Sequence, residues 1–299
     1  MALFAGLLAG CAAGGGSDTT SLAGPRPAIA DALPVRLKIA VNETFCGKTA
    51  CECVNRVAKR DFEPLLRRLR RDHGIEMEFV YLPSGVEAVG ARVRAGDVDG
   101  ALAKPWPILV ASRGAGRDYR RVADLTGPDG RRGLTGIVIV KKDSPVRSVA
   151  ELQERRLAMG QPSAYEKHHG VLAMLKAGGA DPARVGRTEF SSCLECLGAL
   201  LDGKADAAAV SDYAFDADCL VDVAPKTDFR VLGATAPPIP MASLLLDMGR
   251  VPEATAWRLR CALLSLAEDP ALKESLLGDG FAEPVPWSPA GLKPLPEHR

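Results

Sequence analysis

The sequence predicts an α/β protein built from two units, each with a doubly wound, mostly parallel sheet. The chain of 299 residues is long enough for two domains of about 150 residues. Hydrophobic residues make up 47% of it and charged residues 25%, which is the composition of an ordinary globular protein. From residue 35 onward, short apolar runs of β character alternate with segments of helical spacing. This alternation is typical of strands that pair in parallel through helical crossovers.

The first half of the chain predicts a β-α-β-α-β order. Strands are expected at Val35–Val41, Glu76–Leu82 and Asp99–Ala103. Two short helices are expected at Val86–Val93, ended by Gly96, and at Trp106–Ala111. A longer first helix is expected from apolar residues that recur at helical spacing, namely Val54, Val57, Ala58, Phe62, Leu65, Leu66 and Leu69.

The second half repeats the alternation. Strands are expected at Leu134–Lys142, Leu157–Gly160, Glu189–Ser192, Ala205–Ser211, Arg230–Ala234 and Ser243–Asp247. Helices are expected at Val149–Gln153, Tyr165–Ala177, Leu194–Leu201 and Glu253–Ala267, followed by a short helix and a proline-rich tail. No internal repeat of 20–50 residues is visible, so the two halves form separate α/β units rather than an array.

Composition and motifs exclude several classes of function. The net charge is +1 and no basic tract occurs, which argues against non-specific nucleic-acid binding. Aromatic residues make up 5% of the chain, too few for a base-stacking platform. No apolar run reaches the roughly 20 residues that a membrane-spanning helix needs. No nucleophile elbow, zinc-protease, P-loop or dinucleotide motif is present, so we expect a binding protein and not an enzyme.

The N-terminus resembles a bacterial lipoprotein signal. Residues 2–13 form a short apolar stretch that contains Leu8-Ala9-Gly10-Cys11, although no Lys or Arg precedes it. The resemblance implies a signal peptide over residues 1–10 and a lipid on Cys11. Residues 11–33 are rich in Gly, Ser, Thr and Pro, which predicts a flexible tether. We therefore expect a protein at the periplasmic or extracellular face, held to the membrane by its lipid.

Three further stretches resemble the PhnD-like phosphonate-binding proteins of ABC transporters. The stretch Gly136–Leu152 runs from a strand into an Asp143-Ser144 turn and a helix, as in that family. Leu200–Val210 is similar to the family's Gly-x-x-Asp-Ala-Ala-x-Val strand, and Leu102–Trp106 is similar to the end of the third strand. The similarity covers roughly residues 35–280, and the order and spacing of the pieces carry it.

The resemblance implies a two-lobed type II periplasmic-binding fold. Lobe 1 would contain residues 34–140 and 238–299, and lobe 2 residues 141–237. Such a protein captures a small solute, here expected to be an oxyanion, in the cleft between the lobes. It would deliver the solute to an ABC permease. We expect a monomer without a cofactor, and if the protein is instead a sensor, its expected partner is a membrane sensor kinase.

Ligand contacts are expected at the carboxyl ends of the strands, where helix N-termini suit an anion. Ser163 is expected to cap the helix that follows, with Glu166 as the acid of a capping box. This loop departs from the family's Ser-Thr-Ser-Gly-like loop, and Lys167 or Lys104 would offset the charge of Glu166. The candidate ligand residues are Lys104, Trp106, Ser163, Ala164, Tyr165, His168, Cys193, Asp212 and Tyr213. For each, packing or helix capping is the alternative role.

The cysteines form two groups at loops of the predicted sheets. Cys46, Cys51 and Cys53 follow the first strand, and Cys193 and Cys196 begin a helix in the second half. Cys193 aligns with a position at which phosphonate-binding proteins often carry a histidine. The two loops are expected to face one another.

Three interpretations of these cysteines remain open. In the first they are structural disulfides, such as Cys193–Cys196, one within the first group and Cys219–Cys261. In the second, both groups bind a soft ion such as Cu(I), Zn(II) or arsenite, and the protein is a thiophilic metal or metalloid sensor. In the third, Cys193 and Cys196 are a redox-active dithiol.

Overall fold

The computed structural model describes residues 22, 35–50, 54, 57–83, 85–128, 130–215, 220, 222–287, 289 and 292. These residues form two compact units. Unit 1 contains the described residues up to 50, residues 58–132 and those from 240 onward. Unit 2 contains residues 133–239 together with Val54 and Val57. The signal peptide predicted at 1–10 and the lipid site at Cys11 lie outside the described residues.

The described chain forms strands and helices in the following order: β1 (Val35–Asn42), α1 (Glu63–His73), β2 (Ile75–Tyr81), α2 (Val86–Ala95), β3 (Gly100–Ala103), α3 (Pro105–Gly114), β4 (Tyr119–Leu125), β5 (Gly133–Leu134), β6 (Gly136–Lys141), β7 (Arg156–Gly160), α4 (His169–Ala177), β8 (Gly186–Phe190), α5 (Cys193–Leu201), β9 (Ala207–Ser211), β10 (Phe229–Ala234), β11 (Ile239–Pro240), β12 (Ala242–Asp247), α6 (Glu253–Ser265), α7 (Pro270–Leu276) and β13 (Phe281–Ala282). No helix in this part of the chain combines the length and apolarity needed to cross a membrane.

Unit 1 is built on a six-stranded sheet in the order β13-β4-β12-β3-β1-β2. β1 pairs in parallel with β2 and β3, whereas β12 is antiparallel to both β3 and β4. Side chains such as Ile39, Val41 and Leu102 are fully buried because helices cover the sheet. The parallel strands place the loops that follow β1, β2 and β3 at one edge of the unit 1 sheet.

Unit 2 is built on a five-stranded sheet in the order β10-β6-β9-β7-β8. β7 is parallel to β8 and β9, while β6 is antiparallel to β9 and β10. The carboxyl ends of β7, β8, β9 and β10 therefore lie at the same edge as the beginning of β6. β5 and β11 form a separate two-stranded sheet where the chain passes from one unit to the other.

The α/β class and the alternation of strands and helices are confirmed. The first passage between the units lies after Arg132, whereas the expected lobe boundary followed residue 140. The difference arises because β6 pairs with β9 and β10 and so belongs to the second sheet. The second passage, after Ile239, lies two residues beyond the expected one.

Two elements of unit 1 differ from the sequence prediction. α1 begins at Glu63 rather than near Val54, because Pro64 has no N–H and fits only the first turn of a helix. β4 was not predicted, since Arg121 and Asp124 interrupt its apolar pattern. Both side chains are nevertheless buried, and the guanidinium Nη1 of Arg121 lies 3.1 Å from Oδ2 of Asp124. A buried ion pair thus occupies strand positions at which the pattern requires apolar residues.

Leu22 shows that the predicted tether is held to unit 1 at one point. Its backbone N–H donates to the Arg121 carbonyl over 2.8 Å, and Nη1 of Arg260 donates to its carbonyl over 3.0 Å. Its side chain is 3% exposed and belongs to the unit 1 core together with Trp257. The expectation of a free linker over all of residues 11–33 is therefore wrong at Leu22, because this apolar side chain has a core position to fill.

We expect Leu22→Ala to lower the free energy of unfolding of unit 1 by about 2 kcal/mol, the low end for a buried Leu-to-Ala change. Trp106, Trp257 and Trp287 all lie in unit 1, so tryptophan fluorescence in a denaturant titration reports on this unit. Val110→Ala is the control, because Val110 is 45% exposed and its loss should change stability by no more than about 0.5 kcal/mol. Equal midpoints for the two variants would show that Leu22 does not stabilise unit 1.

Candidate functional site

Polar side chains gather at the carboxyl edge of the unit 2 sheet. Residues 161–169 follow β7, residues 191–193 follow β8, and Asp212 and Tyr213 follow β9. Gly136 begins β6 opposite Ser211, the last residue of β9. Most of the ligand contacts predicted for the second half of the chain fall on these same three loops, and the structure brings the loops to one edge.

The loop after β7 does not form the predicted continuous helix. A short 3₁₀ turn covers Tyr165–Lys167, and α4 begins only at His169. No side chain caps either turn, so the expected capping box of Ser163 and Glu166 is wrong. The Glu166 carboxylate instead turns into unit 2, where Oε1 accepts a hydrogen bond of 2.9 Å from the Ser211 hydroxyl. A buried hydroxyl donor holds the carboxylate more effectively than an exposed helix end would.

Gly136 makes room for this turn. A Cβ atom at this position would lie 1.9 Å from the carbonyl oxygen of Glu166, far inside van der Waals contact. The backbone of the 3₁₀ turn therefore lies directly against the start of β6. Only glycine allows this approach, and the approach carries Glu166 and Lys167 into the interior.

Four residues meet at this edge, and we call them the Lys167 cluster: Glu166, Lys167, Cys193 and Ser211. The ammonium Nζ of Lys167 lies 3.6 Å from the Cys193 Sγ, and the Ser211 N–H donates to the same sulfur over 3.4 Å. Glu166 and Ser211 are fully buried, Lys167 is 7% exposed and Cys193 is half-buried. Burial of an ammonium is costly in the absence of polar neighbours, so the carboxylate, hydroxyl and sulfur are what make this position tolerable.

A true capping box lies at the start of α5. The Ser192 hydroxyl accepts a hydrogen bond from the Glu195 N–H over 3.1 Å, and the Glu195 carboxylate accepts from the N–H groups of Ser191 and Ser192. The hydroxyls of Ser191 and Ser192 lower the pKa of the Glu195 carboxyl. Sequence reasoning missed this box, although the Ser-x-x-Glu spacing of residues 192–195 is its signature. The box fixes where α5 begins and therefore where Cys193 lies.

The two histidines of the loop pack with each other and with Tyr165. His168 is buried, and its Nδ1 lies 2.9 Å from the Gly160 carbonyl oxygen and 3.6 Å from Oε1 of Glu189. The ring of His169 packs against His168 at 4.8 Å and against Tyr165 at 5.8 Å between centroids. Burial lowers the pKa of His169. His168 was predicted to contact the ligand. Its ring is instead buried within unit 2, where it packs beneath the loop that follows β7.

The remaining candidates of unit 2 occupy the same edge. Ser163, Ala164, Asp212 and Tyr213 are half-buried. Asp212 accepts a hydrogen bond of 3.1 Å at Oδ2 from the Thr135 hydroxyl and begins a 3₁₀ turn that ends at Phe215. Their positions suit ligand contact, and their role stays a prediction.

Unit 1 has its own loops at the carboxyl edge of its sheet. Lys104 directly precedes α3 and is half-buried, whereas Trp106 is 4% exposed and is packed inside the unit. The turn after β1 is held by a buried ion pair in which Arg60 Nη1 lies 2.8 Å from Oε1 of Glu43. Arg60 also donates to the carbonyls of Thr126 and Leu276. Burial raises the pKa of the Glu43 carboxyl, and the Arg60 charge opposes that shift.

A lysine of the turn between β1 and α1 contacts Tyr81, the last residue of β2. The Lys48 ammonium lies 4.3 Å from the centre of the Tyr81 ring, and burial raises the pKa of the phenol. A cation over an aromatic face is a favourable contact at such a half-exposed position.

Residues 55–291 match the family described as "ABC transporter, phosphonate, periplasmic substrate-binding protein". The chain belongs to this family. The resemblance to PhnD-like binding proteins is therefore confirmed, and with it the function as a periplasmic substrate-binding component of an ABC transporter. A search of the curated proteins gave no sequence match.

Solved structures of other proteins share this fold. XAC2383 from Xanthomonas citri bound to ATP is 24% identical, with a TM-score of 0.62, over 84% of this chain and 91% of that one. SsuA from Escherichia coli, a periplasmic aliphatic sulphonate binding protein, is 19% identical with a TM-score of 0.59, over 82% and 78%. PhnD1 from Prochlorococcus marinus in complex with methylphosphonate is 13% identical with a TM-score of 0.58, over 87% and 94%. At these identities the likeness shows the two-lobed fold.

The cysteines depart from what the sequence suggested. Cys46, Cys193, Cys196 and Cys261 are all free thiols, so the structural disulfides expected for Cys193–Cys196, for Cys219–Cys261 and for Cys46 are not formed. Cys51, Cys53 and Cys219 lie outside the described residues. Sequence spacing brings cysteines near one another but does not decide whether they pair.

The described residues do not assemble the thiolate site that the second interpretation required. Cys46 belongs to the unit 1 core, where burial raises the pKa of its thiol. Burial also raises the pKa of the Cys196 thiol, to about 12. Such thiols stay protonated at neutral pH, whereas metal ligation needs thiolates. Within the described ranges, no group of three or more His, Cys, Asp or Glu is placed to hold a metal ion.

Replacement of Gly136 by alanine should destabilise unit 2 because the added Cβ collides with the Glu166 backbone. We expect a loss of about 1–3 kcal/mol in the free energy of unfolding, the usual cost of overpacking. Gly198→Ala is the matched control in the same unit, since its Cβ would meet nothing within 4 Å and it lies inside α5. That control should be neutral or slightly stabilising. Far-UV circular dichroism in a denaturant titration measures both variants, and a neutral Gly136→Ala would mean that the turn does not lie against β6.

Proposed function

We propose that this chain captures a small phosphonate- or sulfonate-type oxyanion at the carboxyl edge of the unit 2 sheet and delivers it to an ABC permease. The observation that carries the proposal is the placement of Lys167, a residue that is 7% exposed and whose ammonium lies beside the start of α5. Binding and delivery require no chemical conversion, so we expect no catalytic turnover.

The surroundings of Lys167 support an anion at this edge. The hydroxyls of Ser163 and Tyr213 lie on the loops that follow β7 and β9 and can donate hydrogen bonds to anionic oxygens. The first N–H groups of α5 carry the partial positive charge of a helix N-terminus. A bond from an ammonium to an oxyanion is charge-assisted and about twice as strong as a neutral one, and partial burial limits its screening.

The class of ligand follows from the family and from Glu166. Two similar structures are named for methylphosphonate and for aliphatic sulphonates, which share a tetrahedral head group with anionic oxygens. The Glu166 carboxylate adjoins Lys167 in the chain and shares its cluster, so a second negative charge on the ligand meets repulsion. We therefore propose that singly charged head groups, such as sulfonates, bind more tightly than doubly charged ones.

Lys167→Met should weaken binding of an alkanesulfonate or of methylphosphonate by about 10- to 100-fold. This corresponds to the roughly 1.5–3 kcal/mol that a hydrogen bond to a charged group contributes. Isothermal titration calorimetry with methylphosphonate, ethanesulfonate, phosphate and sulfate measures the loss and the order of preference.

Lys176→Met is the control for this experiment, because Lys176 is an exposed lysine on α4 and its loss removes the same charge. Equal affinities for the two variants, with circular dichroism showing both folded, would contradict the proposed site. Failure of every anion to bind the unmodified protein would contradict the proposed ligand class.

We also propose that the protein is anchored to the membrane through a lipid on Cys11 and works as a monomer. The support is the Leu8-Ala9-Gly10-Cys11 sequence together with the periplasmic location of the family. Because Leu22 packs on unit 1, about ten residues would link the lipid to the folded body, or roughly 35 Å when fully extended. The folded body would thus stay close to the membrane surface. Light scattering of the purified protein tests the monomer.

Cys11→Ser should abolish incorporation of labelled palmitate and move the protein from the membrane fraction to the soluble fraction. The reason is that the lipid would attach to the sulfur atom of Cys11. Cys261→Ser is the control, since Cys261 is buried in α6 and should not change either readout. Labelling of the Cys11→Ser variant at the unmodified level would rule out this anchor.

A further inference from the structure

The thiols of Cys193 and Cys196 lie on one face at the start of α5. They are the first and fourth residues of this nine-residue helix, and both are free thiols. Helical geometry places the Cα atoms of such a pair about 5 Å apart. This Cα separation falls within the range that a disulfide bridges. The Cβ atoms of such a pair lie about 5–6 Å apart in a regular helix, so the first turn of α5 must tighten by roughly 1–2 Å when the bond forms. The proposed anion capture does not use this second thiol.

The two thiols differ in their surroundings. Cys193 is half-buried, while Cys196 is fully buried and burial raises its pKa to about 12. The Lys167 ammonium and the Ser211 N–H both lie within hydrogen-bonding distance of the Cys193 sulfur. Both groups are donors, so they can bond to this sulfur when it carries negative charge as an attacking or leaving group. Cys193 is thus the thiol that an outside molecule reaches first.

Lys167 also acts on the second thiol. Its positive charge opposes the effect of burial on the pKa of Cys196. One ammonium therefore stabilises negative charge on both sulfur atoms, first when Cys193 attacks and then when Cys196 loses its proton. The other described cysteines, Cys46 and Cys261, are both buried in unit 1. The charge of Lys48 opposes the rise that burial causes in the pKa of the Cys46 thiol, so a nearby lysine alone does not distinguish Cys193.

We propose that Cys193 and Cys196 form a reversible dithiol–disulfide pair in which Cys193 is the attacking thiol. The oxidant is a disulfide, either a low-molecular-weight one or one on a protein. The Cys193 thiolate attacks one of its sulfur atoms, the sulfur–sulfur bond breaks, and one thiol leaves with a proton. Cys196 then attacks the Cys193 sulfur of the mixed disulfide, its proton passes to the departing thiolate, and the second thiol is released. The protein loses two protons and two electrons, and the oxidant takes them up and becomes two thiols.

The experiment titrates the full-length protein with buffers of graded reduced and oxidised glutathione. Free thiols are trapped with an alkylating reagent, and the peptide that contains residues 193–196 is weighed by mass spectrometry. We expect one transition, from a doubly alkylated peptide to an unalkylated peptide that is two hydrogen atoms lighter, and reversal on return to reducing buffer. Peptide analysis reads this pair directly, so the cysteines elsewhere in the chain do not disturb the result.

Two variants separate the roles of the thiols. Cys196→Ser should accumulate one glutathione on Cys193, because the second attack cannot occur. Cys193→Ser should lose the reaction, with no glutathione on the buried Cys196. Cys261→Ser is the control and should titrate like the unmodified protein. Circular dichroism of each variant shows whether it is folded.

Three results would overturn the proposal. The first is a peptide that stays doubly alkylated at every glutathione ratio, and the second is a Cys193 disulfide to any cysteine other than Cys196. The third is equal glutathione addition in the Cys196→Ser and Cys193→Ser variants. None of these results depends on an anion being bound, so they are distinct from failure of the proposed anion capture.

Discussion

The placement of Glu166 and Lys167 inside unit 2 is the constraint on which the rest of the site depends. Two charged side chains in a protein interior are stable only when polar groups surround them. The Ser211 hydroxyl meets the carboxylate, and the ammonium lies against the Cys193 sulfur. Gly136 gives the backbone the space that this placement needs. The ends of β7 and β9, the start of β6 and the start of α5 must therefore be in place together before this edge exists.

The same constraint prepares the edge for binding. An ammonium that the fold already holds loses little conformational entropy when an anion arrives, and its environment is already partly desolvated. Unit 1 uses a comparable device, in which the buried Glu43–Arg60 pair ties the turn after β1 to Thr126 and Leu276. In both units a buried charge thus fixes a loop at the edge of a sheet. This suits a family of periplasmic substrate-binding proteins.

Cys193 connects the proposed anion site with the proposed thiol chemistry, since its sulfur lies 3.6 Å from the ammonium of the lysine that is proposed to meet the ligand. The capping box of Ser192 and Glu195 fixes the first turn of α5, and the sulfur then lies against Ser211. Cys196 lies one turn further into the helix and is shielded from solvent. Accessibility and charge, rather than spacing alone, give these two cysteines different chemistry.

The sequence by itself determined the α/β class, most strands and the family, because apolar runs and turn motifs are local properties of the chain. It could not reveal β4, whose buried Arg121 and Asp124 look like surface residues until their pairing is seen. The sequence also predicted that Glu166 caps a helix. An acid three residues after a serine can either complete a capping box or point into the interior, and the spacing alone does not distinguish the two. Only the tertiary structure decided that Glu166, Lys167 and Cys193 meet, since the 3₁₀ turn after β7 and the start of α5 are separate in the chain and the turn depends on close packing against β6.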